Sequence, residues 1–385
     1  MSEWKTIAAE SFCDSVRDGT HDTPKQVECG YKLVTAKHIN NGQIDLSEAY
    51  MISESDYQKI NERSKVEKWD VLMSMIGNGL GKSAVVKDNP QYAIKNLALF
   101  KIGDEVKAKW LHYYLSSQVG QGFIYNSLQG SGQPFISLYL LRKFPIPVPD
   151  DEKIMQDIVG ILSRYDSLIE NYQKQIKLLE EAAQRLYKEW FVDLRFPGHE
   201  NTKIVDGVPK GWEKKRLEEI AELKAGGDKP EIVSGIRTND CSVPIFSNGT
   251  TNEGLYGYTK FPVIVKQSVT ISARGSVGYT VLRRTPFVPI VRLISVIPHN
   301  VYVGYVFFYL KSTTLDSNGA AQQQITIPMI RNKGITIPSK GILEIFESQT
   351  EPIFNQIDIL KEQIRLLTEA RDRLLPKLMS GEIKV

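Results

Sequence analysis

An internal duplication constrains this chain most, because it divides the 385 residues into two half-copies and requires any fold to be built twice. The run from Gln133 through Ile136, Ser137, Leu141, Arg142 and Ile146 to Pro149 aligns without a gap on Gln322 through Ile325, Thr326, Ile330, Arg331 and Ile335 to Pro338, at a constant offset of 189 residues. Residues 175–186 match residues 363–374 at eight of twelve positions. Earlier in each half, residues 71–77 align with residues 269–275 and share Val, Ser and Gly; both read as a strand entering a glycine turn. Residues 4–10, which begin with Trp4, match residues 211–222, which contain Trp212, more loosely. Four matches in the same order are a poor fit to chance similarity between helices rich in Glu, Leu and Arg.

Each half ends in a long helical pattern. Ile154, Ile158, Ile161, Tyr165, Leu168, Tyr172, Ile176, Leu179, Ala183, Leu186 and Trp190 alternate steps of three and four, with one break at Tyr172, which is a heptad seam containing a stutter. Ile353, Ile357, Leu360, Ile364, Leu367, Arg371, Leu374 and Leu378 keep the alternation with one polar intruder, Arg371, and Pro376 falls where the seam ends. A rod of about forty residues spans about 60 Å, more than the core of a small domain needs. Each apolar stripe therefore calls for a partner, and the two helices are expected to pack antiparallel; the competing reading packs each stripe on its own module. Short strands near 71–76, 269–271 and 335–337 mix with helices near 107–114 and 302–311. The expected fold is α/β: two small mixed α/β domains joined by two long helices packed as an antiparallel coiled coil, with a pseudo-twofold internal repeat. The expected boundaries are 1–149, 150–196, 197–338 and 339–385.

Composition narrows the function classes. A hydrophobic content of 42% suffices for more than one core. The longest apolar stretch, residues 301–310, is far short of the roughly 20 residues of a membrane span, and the opening Met-Ser-Glu-Trp-Lys does not read as a leader. Cys13, Cys29 and Cys241 are too far apart in sequence for a CxxC site and too few for a disulfide framework. A reduced, cytoplasmic setting without membrane contact is expected. Net charge of +3 neither demands nor forbids nucleic acid. The five histidines are scattered, so neither a metal site nor a catalytic centre is expected.

Two near-motifs would each make the chain an enzyme. Residues 77–83, Gly-Asn-Gly-Leu-Gly-Lys-Ser, resemble a phosphate loop, but only three residues separate Gly77 from Gly81 where the motif needs four. The second copy has no lysine there. Asn89-Pro90-Gln91-Tyr92 is one substitution from the tetrapeptide with which amino-methyltransferases bind their target amino group, yet an Asn-Pro turn accounts for it. A self-contained methyltransferase or NTPase, and a coiled-coil adaptor without DNA affinity, stand as alternatives.

The tandem arrangement resembles the specificity subunits of type I restriction-modification systems. The resemblance covers essentially the whole chain and rests on its order of module, helix, module, helix and on local strings. These are Gly211-Trp212-Glu213, residues 272–278 (Ser-Ala-Arg-Gly-Ser-Val-Gly), Gln324-Ile325-Thr326, residues 335–338 (Ile-Thr-Ile-Pro) and the repeated Gln-Ile-Lys/Arg-Leu-Leu helix. It implies that each module is a target recognition domain for one half of a bipartite double-stranded DNA site, and that the helices set the spacing and dock modification (methyltransferase) subunits, two of them. It further implies restriction (endonuclease/translocase) subunits in the full complex. The chain itself is then a non-catalytic subunit, without a cofactor, of a DNA adenine methyltransferase and type I restriction endonuclease complex, while S-adenosylmethionine, ATP and Mg belong to partner subunits. Met75 and Asn78 replace the Ala and Ser of the second copy, so the two modules are expected to read different sequences.

DNA reading needs base-edge donors and acceptors on loops, with Lys and Arg on phosphates. Candidates in the first module are Thr20, His21, Lys25, Lys37, His38, Ser131 and Gln133. In the second they are Lys229, Ser247, Asn248, Arg274, Gln322, Gln323 and Gln324. Trp4, Trp190 and Trp212 read as packing anchors.

Overall fold

The computed structural model describes residues 4–40, 42–130, 132–313 and 324–385, and the chain divides into two units, residues 1–172 with 362–385 and residues 173–361. In the first unit, strands Ser15–Asp18, Leu97–Lys101, Val71–Ser74 and Ser83–Val85 form a four-stranded antiparallel sheet in that order. Its two central strands read as unbroken apolar runs because both faces are covered. Val71, Met73, Ala98 and Phe100 face Trp110 and Leu111 of helix Glu105–Ser116. Leu72, Leu97 and Leu99 join Val34 and Ile94 of a second, three-stranded sheet. That sheet orders Met51–Ile52, Tyr31–Val34 and Tyr92–Ile94, with the last two parallel. Trp4–Ala8 pairs with Pro145–Pro149 in a separate ribbon.

The second unit repeats this plan. Strands Ala221–Ala225, Ile294–Pro298, Ser268–Ile271 and Thr280–Arg283 form the four-stranded antiparallel sheet, and Leu255–Thr259, Val243–Phe246 and Val288–Pro289 form the three-stranded one, again with one parallel pair. Helix Val303–Ser312 takes the place of Glu105–Ser116. Glu213–Arg216 pairs with Gly334–Ile337, opposing Glu213 to Ile337, just as Lys5 opposes Val148 in the first ribbon. The loose match between Trp4 and Trp212 is therefore a true equivalence of position. Trp190 and Trp212 are buried and Trp4 stacks on Trp110, as expected of packing anchors.

The long helices run over Glu152–Tyr187 and Lys340–Met379. The first continues into a π turn, Lys188–Val192, that keeps Trp190 against Phe346. Within each unit the two helices lie side by side in opposite directions. In the first unit Met155, Ile158 and Leu162 share a core with Leu375, Leu378 and Met379, and in the second Ala183, Tyr187 and Trp190 share one with Phe346, Phe354 and Ile357.

The predicted seam needs two corrections. Leu168 is 42% exposed whereas Ile169 is 8% exposed. The reason is that Met155, Ile158, Val159 and Leu162 also pack on their own module, so the buried stripe is wider than a coiled-coil seam and turned by one residue. Both readings of the stripe hold together. Pro376 does not end the second helix, which continues to Met379.

Candidate nucleic-acid interface

The duplication places one loop cluster at the same edge of the four-stranded sheet in each unit. In both, the first strand of the sheet ends in a glycine that passes close to a neighbouring strand end. A Cβ on Gly19 would overlap the Ile94 carbonyl, and one on Gly226 would sit 2.7–2.8 Å from atoms of the Pro289–Ile290 peptide. The amide of Gly19 donates to Leu97 O and that of Gly226 to Leu293 O, both at 2.9 Å. Each close approach leaves a short turn standing at the sheet edge: Lys95 and Asn96 in the first unit, Val291 and Arg292 in the second.

In the first cluster Thr20 donates its amide to Ile94 O at 3.0 Å, and its Oγ1 accepts from the Asp22 amide at 3.1 Å. The exposed His21 ring lies 2.8 Å from Asn96 Oδ1 and 2.9 Å from Asp18 Oδ2. Arg63 donates to the same carboxylate at 3.0 Å, and Lys95 bonds Thr23. Lys25 and Lys37 are exposed. His38 is not presented to solvent: at 3% exposure its Nδ1 accepts the Thr35 amide at 2.9 Å. Burial, with Lys37 beside it, holds this imidazole below its usual pKa range, so it caps a turn as a neutral group. Gln133 is exposed beside Gly77, where Ile136 donates its amide to Met75 O at 3.0 Å. Ser131 lies outside the described residues.

In the second unit Gly226, Gly227, Asp228, Lys229, Tyr256, Arg274, Ile290, Val291 and Arg292 line a groove of about 480 Å³. Lys229 and Arg274 are thus brought together. Asn248 is the frame of this site: its Nδ2 donates to Val291 O at 2.7 Å and its Oδ1 accepts the Ala273 amide at 2.7 Å. Both ends of the amide are used internally, so Asn248 positions the Arg274 loop and the Val291 turn. Ser247 sits half-buried in the same loop, its amide donating to Gly254 O at 2.8 Å. That loop is pinned by Arg283, which donates to Glu253 O at 2.6 Å and stacks on Phe246 at 3.5 Å. Burial draws the Arg283 pKa down to about 10, against the pull of Glu253.

Arg274 Nη2 donates to Gln324 Oε1 at 3.3 Å, and Ile325 donates its amide to Ala273 O at 3.0 Å. The latter bond repeats the one between Ile136 and Met75. The partners at the positions of Arg274 and Gln324 in the first unit are Ile76 and Phe135, which form a backbone bridge. One structural position thus carries a cation and an amide in one unit and two apolar side chains in the other. Gln322 and Gln323 lie outside the described residues.

Sequence reasoning missed Lys95 and Asn96 in the first cluster and Tyr256, Val291 and Arg292 in the second. The signal was faint: residues 94–97 and 290–293 share Ile and Leu at their ends but nothing between.

The two enzyme-like strings have other settings. Residues 77–83 lead from Val71–Ser74 into the paired strand Ser83–Val85, so no helix N-terminus stands ready for a phosphate. Ser83 Oγ lies 2.9 Å from His112 Nδ1. The Asn89-Pro90 string forms an exposed turn before strand Tyr92–Ile94. Among the described residues no helix is long and apolar enough to cross a membrane, and no group of three His, Cys, Asp or Glu side chains could hold a metal ion.

Comparison with known proteins gives a consistent set of relatives. The model of the type I restriction modification DNA specificity domain matches residues 1–181 and again 209–369. The chain is 30% identical over 307 residues to the type I restriction enzyme MjaIX specificity subunit of Methanocaldococcus jannaschii, covering 73% of this chain and 70% of that protein. It is 25% identical over 404 residues to the HindI specificity subunit of Haemophilus influenzae, covering 83% and 88%. In fold it is similar to the crystal structure of a type I restriction-modification S subunit from M. genitalium, with a TM-score of 0.55 at 18% identity over 98% of this chain and 96% of that one.

Proposed function

Because the chain belongs to the type I restriction-modification DNA specificity family, we propose that its two modules, residues 1–149 and 197–338, each read one half of a bipartite double-stranded DNA site. Segments 150–196 and 339–385 act as helical spacers that set the separation of the half-sites and dock modification subunits, two per chain. Leu168, Leu178, Ile359 and Leu366 project from the long helices with 42–65% exposure and support such docking. The chain carries no catalytic centre or cofactor of its own and works in the cytoplasm. S-adenosylmethionine, ATP and Mg belong to the modification and restriction subunits.

One observation carries this reading: two loop clusters occupy the same topological position but bear different side chains. Repeated scaffolds with unlike loops suit one chain that recognises two unlike sequences. Linking the two contacts in one chain also makes the second an intramolecular event, which raises affinity without further contacts.

Thr20, His21, Lys25, Lys37, Gln133, Lys229, Ser247, Arg274 and Gln324 supply contacts to bases and phosphates, with Asn248 and His38 holding loops in place. The test is competition binding with the chain assembled on its modification subunits. A duplex carrying the cognate motif should compete far better than a scrambled one of equal length; equal competition sinks the reading. Calorimetry of the isolated chain with S-adenosylmethionine or ATP addresses the enzyme alternative, and no heat is expected.

A further inference from the structure

Val291 and Arg292 adopt a backbone that side-chain-bearing residues avoid, with φ of 54° and 60°. Left-handed φ is uncommon outside Gly, Asn and Asp, and for a β-branched residue it is a genuine outlier. A turn with a purely structural role would be met at less cost by Gly or Asn. Val291 is not there to fill a core, since it is 52% exposed.

The surroundings over-determine this conformation. The Val291 amide donates to Gly227 O at 2.8 Å and the Arg292 amide to Gly226 O at 2.9 Å, while Leu293 closes the turn on Ile290 O at 3.0 Å. Asn248 Nδ2 takes the Val291 carbonyl at 2.7 Å. The turn is thus held rigidly with both side chains outward, into the groove shared with Lys229, Arg274, Tyr256 and Asp228. Among the described residues the Arg292 guanidinium has no hydrogen-bond or ion-pair partner. Strain held in place by a fixed frame and aimed at a ligand groove marks a functional element rather than a packing one.

We infer that Val291 and Arg292 determine the base preference of the second module. The inference rests on the DNA-reading function proposed above. The guanidinium is the side chain suited to a bidentate bond with guanine O6 and N7, and the Val291 methyls suit contact with a thymine methyl. Rigid presentation matters because a reader that must be ordered on binding loses affinity. The first module has its own turn at the same place, Lys95 and Asn96, with Asn96 at φ 54°. Its chemistry differs, with a lysine that bonds Thr23 and an amide facing His21 in place of a valine and a guanidinium.

The test uses the full chain co-assembled with modification subunits, and compares wild type with V291G/R292G and with R292N. Gly and Asn accept positive φ, so the turn keeps its backbone and the complex should assemble with thermal stability no lower than that of the wild type. Methylome sequencing should show an unaltered first half-site and a second half-site degenerate at one or more positions. Binding to duplexes with single mismatches in the second half should show discrimination reduced about tenfold. An unchanged motif with unchanged discrimination overturns the inference. So does a uniform loss of affinity across all sequences with a shallower salt dependence, which is the signature of a phosphate contact. A wild-type complex that methylates no defined bipartite motif would instead sink the DNA-reading function, and this assignment with it.

Discussion

Arg371 of the second long helix donates from Nη1 to Asp166 Oδ1 of the first at 2.8 Å, and Tyr113 of the first module donates to the other carboxylate oxygen at 2.6 Å. The polar intruder in an otherwise apolar seam is therefore one member of a half-buried network. Such a group fixes register and orientation between helices, because sliding by a turn would part Arg371 from Asp166 and leave each with only its other partner, Asp372 and Tyr113 respectively.

Removing the cation alone leaves Asp166 partly enclosed and uncompensated. Arg371→Ala should cost about 1–2 kcal/mol in chemical denaturation, between the values for exposed and for fully enclosed pairs. R371L with D166L should recover much of that loss, since two apolar groups satisfy a packed seam. A single substitution without effect would show the pair to be incidental.

Stability should depend on pH through His112. Burial pushes this imidazole down to about 4 from the ordinary 6.5, with Asp166 opposing the shift and Arg371 and Lys87 adding to it. The folded chain keeps the ring neutral where the unfolded chain takes up a proton. The stabilisation is thus fully present above pH 6.5 and is lost progressively as pH falls from 6.5 towards 4. Melting temperature should drop between about pH 7 and about pH 5, and His112→Asn should shrink that drop. An identical drop in the variant would assign the pH dependence elsewhere.

Asn248 ties two loops of the second module through opposite ends of one amide. Asn248→Ala leaves the Ala273 amide and the Val291 carbonyl without their partner and should cost about 1–2 kcal/mol of stability. Discrimination at the second half-site should fall as Arg274 and Arg292 lose their fixed placement, whereas the first half-site should read as before. Competition binding with duplexes altered in one half at a time checks this, and equal damage to both halves would contradict it.

The spacer role gives a separate expectation. Inserting four residues beside Tyr172 adds about 6 Å of helix. The methylated motif should keep both half-sequences and gain a longer gap between them. An altered half-sequence would count against the helices as spacers.

What was legible in the sequence was whatever the duplication doubled. The constant offset between Gln133 and Gln322 carried through to matching backbone bonds, from Ile136 to Met75 and from Ile325 to Ala273. The unequal match of Trp4 and Trp212 proved equivalent once pairing fixed the register. The helix seam was readable at Ile158, Ala183 and Trp190, which are buried, but not at Leu168, because upstream residues such as Leu162 share a core with the module as well as with the partner helix. The proposed interface was legible only where residue type announced it. Arg274 and Lys229 are cations on turns, but nothing in Val-Arg-Leu discloses a left-handed backbone. His38 and Asn248 are candidates for their donors and acceptors, yet His38 is buried with Nδ1 on the Thr35 amide, and both ends of the Asn248 amide are spent on two loops. Hydrogen bonds within the chain can only be apportioned once its loops are placed.

The most direct measurement is methylome sequencing of a host that expresses this chain with its modification subunits and no other adenine methyltransferase. Two short, unlike half-sequences at one fixed separation are predicted. A single contiguous motif, a palindrome, or adenine methylation without sequence preference would contradict two unlike modules reading one bipartite site.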